Sequence, residues 1–197
     1  EFQDTDAIQY RIFDAIYRVE ANDAATALVF IGDPKQAIYA FRGADIHTYL
    51  AARAATAGRL YTLGRNFRST HAMVRATSRC FRLAEAQEGG PGAFLFRSAA
   101  GNPVPFFPGD ANGRKDALQA GGQPLAALNI WRLPPPVSGE PMSKTAYLEA
   151  MADVCASEMV RLLNLGQRNE AGFAGEDGLR ALRQADLAVL VNNRNEA

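Results

Sequence analysis

Lys35 and Gln36 follow Gly32-Asp33-Pro34 directly, and Tyr39, Phe41 and Arg42 come within the next six residues. A lysine ammonium and a glutamine carboxamide can both meet phosphate oxygens. Gln36 is neutral and bidentate, so it can contact a terminal phosphate and shift when that phosphate leaves; the plainer role is an amide that steadies a loop. Tyr39 and Phe41 are alternate residues, and on an extended loop both rings point the same way. Such a pair suits stacking on nucleic-acid bases, at roughly 1–3 kcal/mol per base, though burial in a core fits the pattern equally well. Arg42 can meet a backbone phosphate. Together these residues could tie recognition of a phosphate to a grip on a strand.

The elements around them place that cluster where a ligand is expected. Residues 27–31 are an all-apolar run without alternation, the pattern of a strand buried on both faces of a parallel sheet. Gly32 and Pro34 end it. In α/β sheets, ligands lie outside the carboxyl ends of the strands. Upstream, Ile8, Ile12, Phe13 and Ile16 recur at helical spacing, with Asp4, Thr5 or Asp6 as the cap and Asn22-Asp23 as the end. Downstream, Asp45 is a plausible N-cap for a helix over 46–57 that Gly58 stops. A short strand is expected at 60–63 and a helix at 70–86. Residues 91–123 are rich in Gly, Pro, Asn and Ala. They read as a loop-dominated stretch with short strands at 93–96 and 104–107, and with 112–122 disordered. A strand at 125–133, a long amphipathic helix at 145–165, a polar loop at 166–178 and a second buried strand at 187–191 complete the expectation. Helix-strand alternation of this kind implies an α/β fold.

At 197 residues and 48% hydrophobic, the chain can bury one or two cores. No apolar run reaches the 18 residues of a membrane span, so no membrane association is expected. The sequence begins within a motif and without Met, which predicts a piece of a larger protein. Cys80 and Cys155 have no metal-ligand spacing and read as buried, reduced thiols of a cytoplasmic protein; no metal site is expected from this chain, and His47 and His71 read as helix-surface or helix-start residues. The formal net charge is zero, yet residues 42–82 hold eight arginines, no lysine and one acid, a local charge of +7. A solvated helix face is one account. A surface for nucleic-acid phosphates is the better one, because the cluster lies between two candidate ligand motifs.

Three short stretches carry a resemblance. EFQDTD at the start is similar to motif II of superfamily 1 helicases, less its leading aspartate. GDPKQAIYAFRGAD is similar to motif III, and Asn66-Phe67-Arg68-Ser69 to motif IV. In this order and spacing they identify the chain as a member of the UvrD/Rep-like helicases. GDPKQAIYAFRGADI, the later PFFPG and the closing ADLAVLVNNRNEA further resemble the beta subunits of exodeoxyribonuclease V.

The resemblance implies RecA-like, parallel-sheet motor domains. Residues 1–60 would end the first, and 61–197 would begin the second, with an insertion near 91–123. It implies a 3′-to-5′ DNA helicase using ATP and Mg²⁺, acting in break processing and recombinational repair. The implied partners are single-stranded and duplex-end DNA and the gamma and alpha subunits of that enzyme. Glu1 would activate the attacking water, Gln36 would contact the γ-phosphate, and Arg68 would reach the same phosphate from the second domain. Phe67 would stack on the adenine, while Tyr39, Phe41 and Arg42 would hold the strand. Many family members carry Trp at the position of Phe41 and Tyr at that of Phe67; both changes keep an aromatic face. No GxxxxGK[ST] loop occurs, and the Mg²⁺-binding aspartate that precedes the glutamate in the family is absent. The chain alone is therefore expected to be inactive. A repair helicase without a nuclease, or a non-catalytic DNA-binding module, are the alternatives.

Overall fold

The computed structural model describes residues 1–37, 44–134 and 141–191. They form two compact units, one of residues 1–64 with 79–108, the other of 65–78 with 109–197.

In the first unit, a 3₁₀ turn at Phe2–Asp4 leads into α1, Ala7–Tyr17. Of the three candidate caps, the structure uses Asp6. Its Oδ1 accepts from Ile8 N and Gln9 N at 2.8 Å each, and Gln9 Oε1 accepts from Asp6 N at 3.2 Å. This closed capping box satisfies donors that a helix start leaves orphaned. The helix lies where its periodicity predicts, but its apolar stripe is not core: Ile8, Ile12 and Ile16 are more than half exposed. Packing runs through Tyr10 instead, which joins Phe2, Phe30 and Tyr49 in an aromatic cluster with ring centroids 4.2–6.1 Å apart. Helix α2, Ile46–Ala55, is capped by Asp45 as expected: its carboxylate accepts from His47 N at 3.0 Å and from the Thr48 hydroxyl at 2.9 Å.

Two arginines of the +7 segment serve this unit's architecture. Arg53 donates to Pro103 O at 2.8 Å, and Arg59 to Val19 O and Ala55 O at 2.9 Å. Near the end of α3, His71–Glu85, the Glu85 carboxylate collects Ala93 N at 2.8 Å, Arg97 at 2.7 Å and Asn102 at 2.9 Å. The Ala93 amide leads the group that holds this carboxyl below its usual range. Phe81, Phe94 and Phe106 pack at 5.2–6.2 Å. Residues 93–96 and 104–107 therefore wrap as turns and bends around side chains; neither is a strand.

The second unit holds a parallel pair, β1 (Arg65–Asn66) with β2 (Asp110–Ala111). It also holds an antiparallel sheet of β3 (Ala117–Ala120), β4 (Gln123–Pro124), β5 (Ala171–Gly175) and β6 (Gly178–Ala181), in the order β4-β3-β5-β6. Helix α4, Lys144–Gln167, is capped by Ser143 and packs on β5. A side chain at Gly166 would meet Leu182 O at 2.4 Å, and one at Gly172 would meet Arg180 O at 2.1 Å, so both contacts need glycine. Leu162, Ala171 and Leu182 are buried there.

The architecture is thus mixed α and β, with parallel and antiparallel pairing. Several sequence expectations fail, for one reason. Residues 27–31, 60–63, 125–133 and 187–191 are not strands. Leu63 is 97% exposed and Leu190 96%. An apolar strand needs hydrogen-bonding neighbours on its edges and layers over its faces. Among the described residues, 27–31 has Phe2 N bonded to Ile31 O at 2.8 Å and Phe30 half-buried against Phe2 and Tyr10, while Val29 and Ile31 are exposed. Conversely, 112–122 is not disordered but contains β3, and the loop expected at 166–178 contains β5. Cys80 is exposed and Cys155 half-buried, both free thiols, so Cys80 is not the buried cysteine expected. His71 does start a helix.

Candidate functional site

Gln3 joins the opening turn to the Gly32-Asp33-Pro34 corner. Its side chain is buried, at 5% exposure, and its Oε1 accepts from Asp33 N at 3.1 Å. Gly32 permits that approach. A Cβ there would lie 2.9 Å from Gln3 Oε1, 3.0 Å from Gln3 N and 3.1 Å from Phe2 N. Beyond it, Asp33 caps the 3₁₀ turn Pro34–Gln36, accepting from Lys35 N at 3.0 Å and from Lys35 Nζ at 2.5 Å through Oδ1. Its other oxygen, Oδ2, accepts from Gln36 Nε2 at 3.1 Å. Burial pushes the Asp33 carboxyl up, but the Lys35 and Gln36 bonds and the lysine charge outweigh it and leave the group below its ordinary range. Lys35 Nζ also sits 5.8 Å from the centre of the Phe94 ring, within reach of its electron-rich face.

Lys35 and Gln36 are exposed on this corner, as is Glu1 one residue before Phe2. Asp4, on the same opening turn, keeps a buried Oδ1 with no hydrogen-bond partner among the described residues. Tyr39, Phe41 and Arg42 lie outside the described residues.

In the second unit, Asn66 organises the loop that bears Phe67 and Arg68. Its Oδ1 accepts from Arg68 N at 2.9 Å and Ser69 N at 2.8 Å, an Asx turn. The loop's own carbonyls are met by Asn112 N on Asn66 O at 2.8 Å and Arg114 N on Ser69 O at 3.2 Å. The result is a turn held by four hydrogen bonds to its backbone, with its Phe67 and Arg68 side chains exposed. Phe67 is 67% exposed, and Arg68 is exposed with no carboxylate paired to it among the described residues. A planar, unpaired guanidinium on a fixed backbone suits bidentate contact with an oxyanion.

Gln3 and Asn66 shape the two corners that bear the candidate residues, and residue type alone did not single them out. Asn66 carries a local signal, since Asn two residues before an exposed side chain often caps its own turn. Gln3 carries none, because its partner is thirty residues away.

Gln36 in the first unit, and Phe67 and Arg68 in the second, are each exposed. Among the described residues, no three His, Cys, Asp or Glu side chains group around a common point. No step through a metal is therefore derived from this chain. No described helix is long and apolar enough to cross a membrane.

Residues 1–56 match the UvrD/REP helicase N-terminal domain. Over its whole length the chain is 41% identical to the RecBCD enzyme subunit RecB of Escherichia coli (strain K12), of which it covers 15%. It is 34% identical to the RecB subunit of Haemophilus influenzae over the whole chain, covering 14% of that protein. With the RecB subunit of Mycolicibacterium smegmatis it shares 52% identity over 91 residues, 46% of the chain and 8% of the relative. The chain thus spans about one-seventh of the curated relatives that it matches from end to end. Along all of its length it is similar to the RecB subunits, and its residues 1–56 match the UvrD/REP helicase N-terminal domain.

Proposed function

We propose that the chain is the motor segment of an ATP-dependent 3′-to-5′ DNA helicase subunit of an exodeoxyribonuclease V-type enzyme. It would end one RecA-like domain near residue 60 and begin the next, and serve double-strand-break processing and recombinational repair. The observation that carries this reading is the end-to-end similarity to RecB subunits. Partners are single-stranded and duplex-end DNA and the gamma and alpha subunits of such an enzyme.

ATP would be the substrate, held by Gln36, Phe67 and Arg68, and would supply the phosphoryl group that passes to water, with Mg²⁺ as the cofactor such enzymes use. Glu1 activates that water, and Gln36 donates its carboxamide N–H to the terminal phosphate. Arg68 meets the charge that spreads over the transferring group, the role in which such an arginine is worth about 10³–10⁵ in rate. Phe67 stacks on the base of the nucleotide. Tyr39 and Phe41 stack on DNA bases, and Arg42 meets a backbone phosphate, so loss of the terminal phosphate from Gln36 moves a loop that also holds the strand.

The test is unwinding by the full-length protein with ATP, on duplexes with a single-stranded tail at either end. Unwinding from the 3′ tail is expected. No ATP-dependent unwinding of either substrate overturns the helicase reading, and unwinding from the 5′ tail alone overturns the polarity.

A further inference from the structure

The Gln36 side chain is engaged within its own corner. Its carboxamide already donates to an anion, Asp33 Oδ2, at 3.1 Å. Asp33 is unusually well fixed for an exposed corner. Its backbone N–H is bonded to the buried Gln3, and the missing side chain of Gly32 seats the corner against the backbone of Phe2 and Gln3. Its Oδ1 is taken twice, by the backbone and by the ammonium of Lys35, which leaves Oδ2 to Gln36. Nε2 has two N–H groups, and one of them is committed to Asp33, so a phosphate that takes that N–H displaces the carboxylate.

We propose that Asp33 is a latch for Gln36: its carboxylate holds the carboxamide while no nucleotide is bound, and a terminal phosphate engages Gln36 by displacing it. This rests on the reading of Gln36 as a phosphate contact. Lys35 lowers the cost of release, because its ammonium stays on Asp33 Oδ1 and neutralises the freed carboxylate. Asp33 is in this sense a positioning residue, acting on the nucleotide through Gln36.

The experiment measures binding of a non-hydrolysable ATP analogue to the full-length protein. Asp33→Ser keeps an oxygen that can cap the turn but has neither the charge nor the reach to hold Gln36. It is expected to bind the analogue more tightly, by about 3- to 10-fold for one hydrogen bond no longer displaced. Asp33→Asn, which still accepts but carries no charge, should fall between Asp33→Ser and the unaltered protein. Asp33→Ser with Gln36→Ala should bind no more tightly than Gln36→Ala alone, since nothing is then left to release. If Gln36→Ala weakens binding while Asp33→Ser and Asp33→Asn leave it unchanged or weaken it, the latch is overturned and the role of Gln36 stands. If Gln36→Ala changes neither binding nor hydrolysis, the phosphate role of Gln36 is overturned and the latch with it.

Discussion

Gly32→Ala would put a methyl group into the contact that joins the opening turn to the Lys35–Gln36 corner. The built Cβ lies 2.9 Å from Gln3 Oε1, 3.0 Å from Gln3 N and 3.1 Å from Phe2 N. The amide oxygen can swing aside, but the two nitrogens are backbone, and Phe2 N is bonded to Ile31 O at 2.8 Å. Relief therefore has to come from separating two chain segments. Overpacking of this kind costs about 1–3 kcal/mol, and a buried Gln3 left without Asp33 N adds about 1–3 kcal/mol. Against this stands a gain of about 0.4–1 kcal/mol from the stiffer unfolded chain. The clash wins, with a net local loss of roughly 1–6 kcal/mol. Amide hydrogen exchange at Phe2 and Asp33 reads it directly, and both should exchange faster by about one to four orders of magnitude. Gly32→Ala with Gln3→Ala should recover only the part due to the side-chain oxygen. Unchanged or slower exchange at Asp33 in Gly32→Ala would refute the reasoning, because the corner would then have room that the geometry denies it.

Acid should loosen the first unit partly through Asp45. Its amide bond from His47, then its bond from the Thr48 hydroxyl, hold its folded pKa below the usual value. That stability is present above the unfolded value, about 3.9, and is lost as pH falls through the lower folded value. Asp45→Asn, also a good cap, should preserve α2 at neutral pH and reduce the acid sensitivity of its amide exchange. Gly166→Ala should destabilise the second unit by about 1–3 kcal/mol, although alanine ordinarily gains about 1 kcal/mol over glycine within a helix, because its methyl meets Leu182 O at 2.4 Å; fluorescence of Trp131, the sole tryptophan, should report a lower unfolding midpoint. The chain by itself, lacking a phosphate loop, should release no phosphate from ATP above a buffer control, with or without single-stranded DNA.

The four helices were legible in the sequence because their signals are local. Asp45 caps α2 where it stands, and the periodicity of 145–165 lies inside α4. Strands were not, because their partners decide them. The run at 27–31 looks more like a strand than Ala171–Gly175 does, yet the latter pairs on both edges, with β3 and β6, and packs under α4. Its small residues, which read as loop, allow the close approach of Gly172 to Arg180 O. At the candidate site, Lys35 and Gln36 were readable from their place after an apolar run. The bond from Asp33 N to Gln3 was not, since nothing local to either residue points to the other.

Whether Arg68 belongs to an ATP-driven DNA motor is read from DNA-stimulated ATP hydrolysis by the full-length protein. With Arg68→Ala the turnover number should fall by about 10³-fold or more while nucleotide affinity changes much less, the mark of an interaction made in the transition state. Arg68→Lys should restore little, for want of the planar fork. Unaltered turnover in Arg68→Ala, or loss of affinity in the same proportion as turnover, would contradict the account.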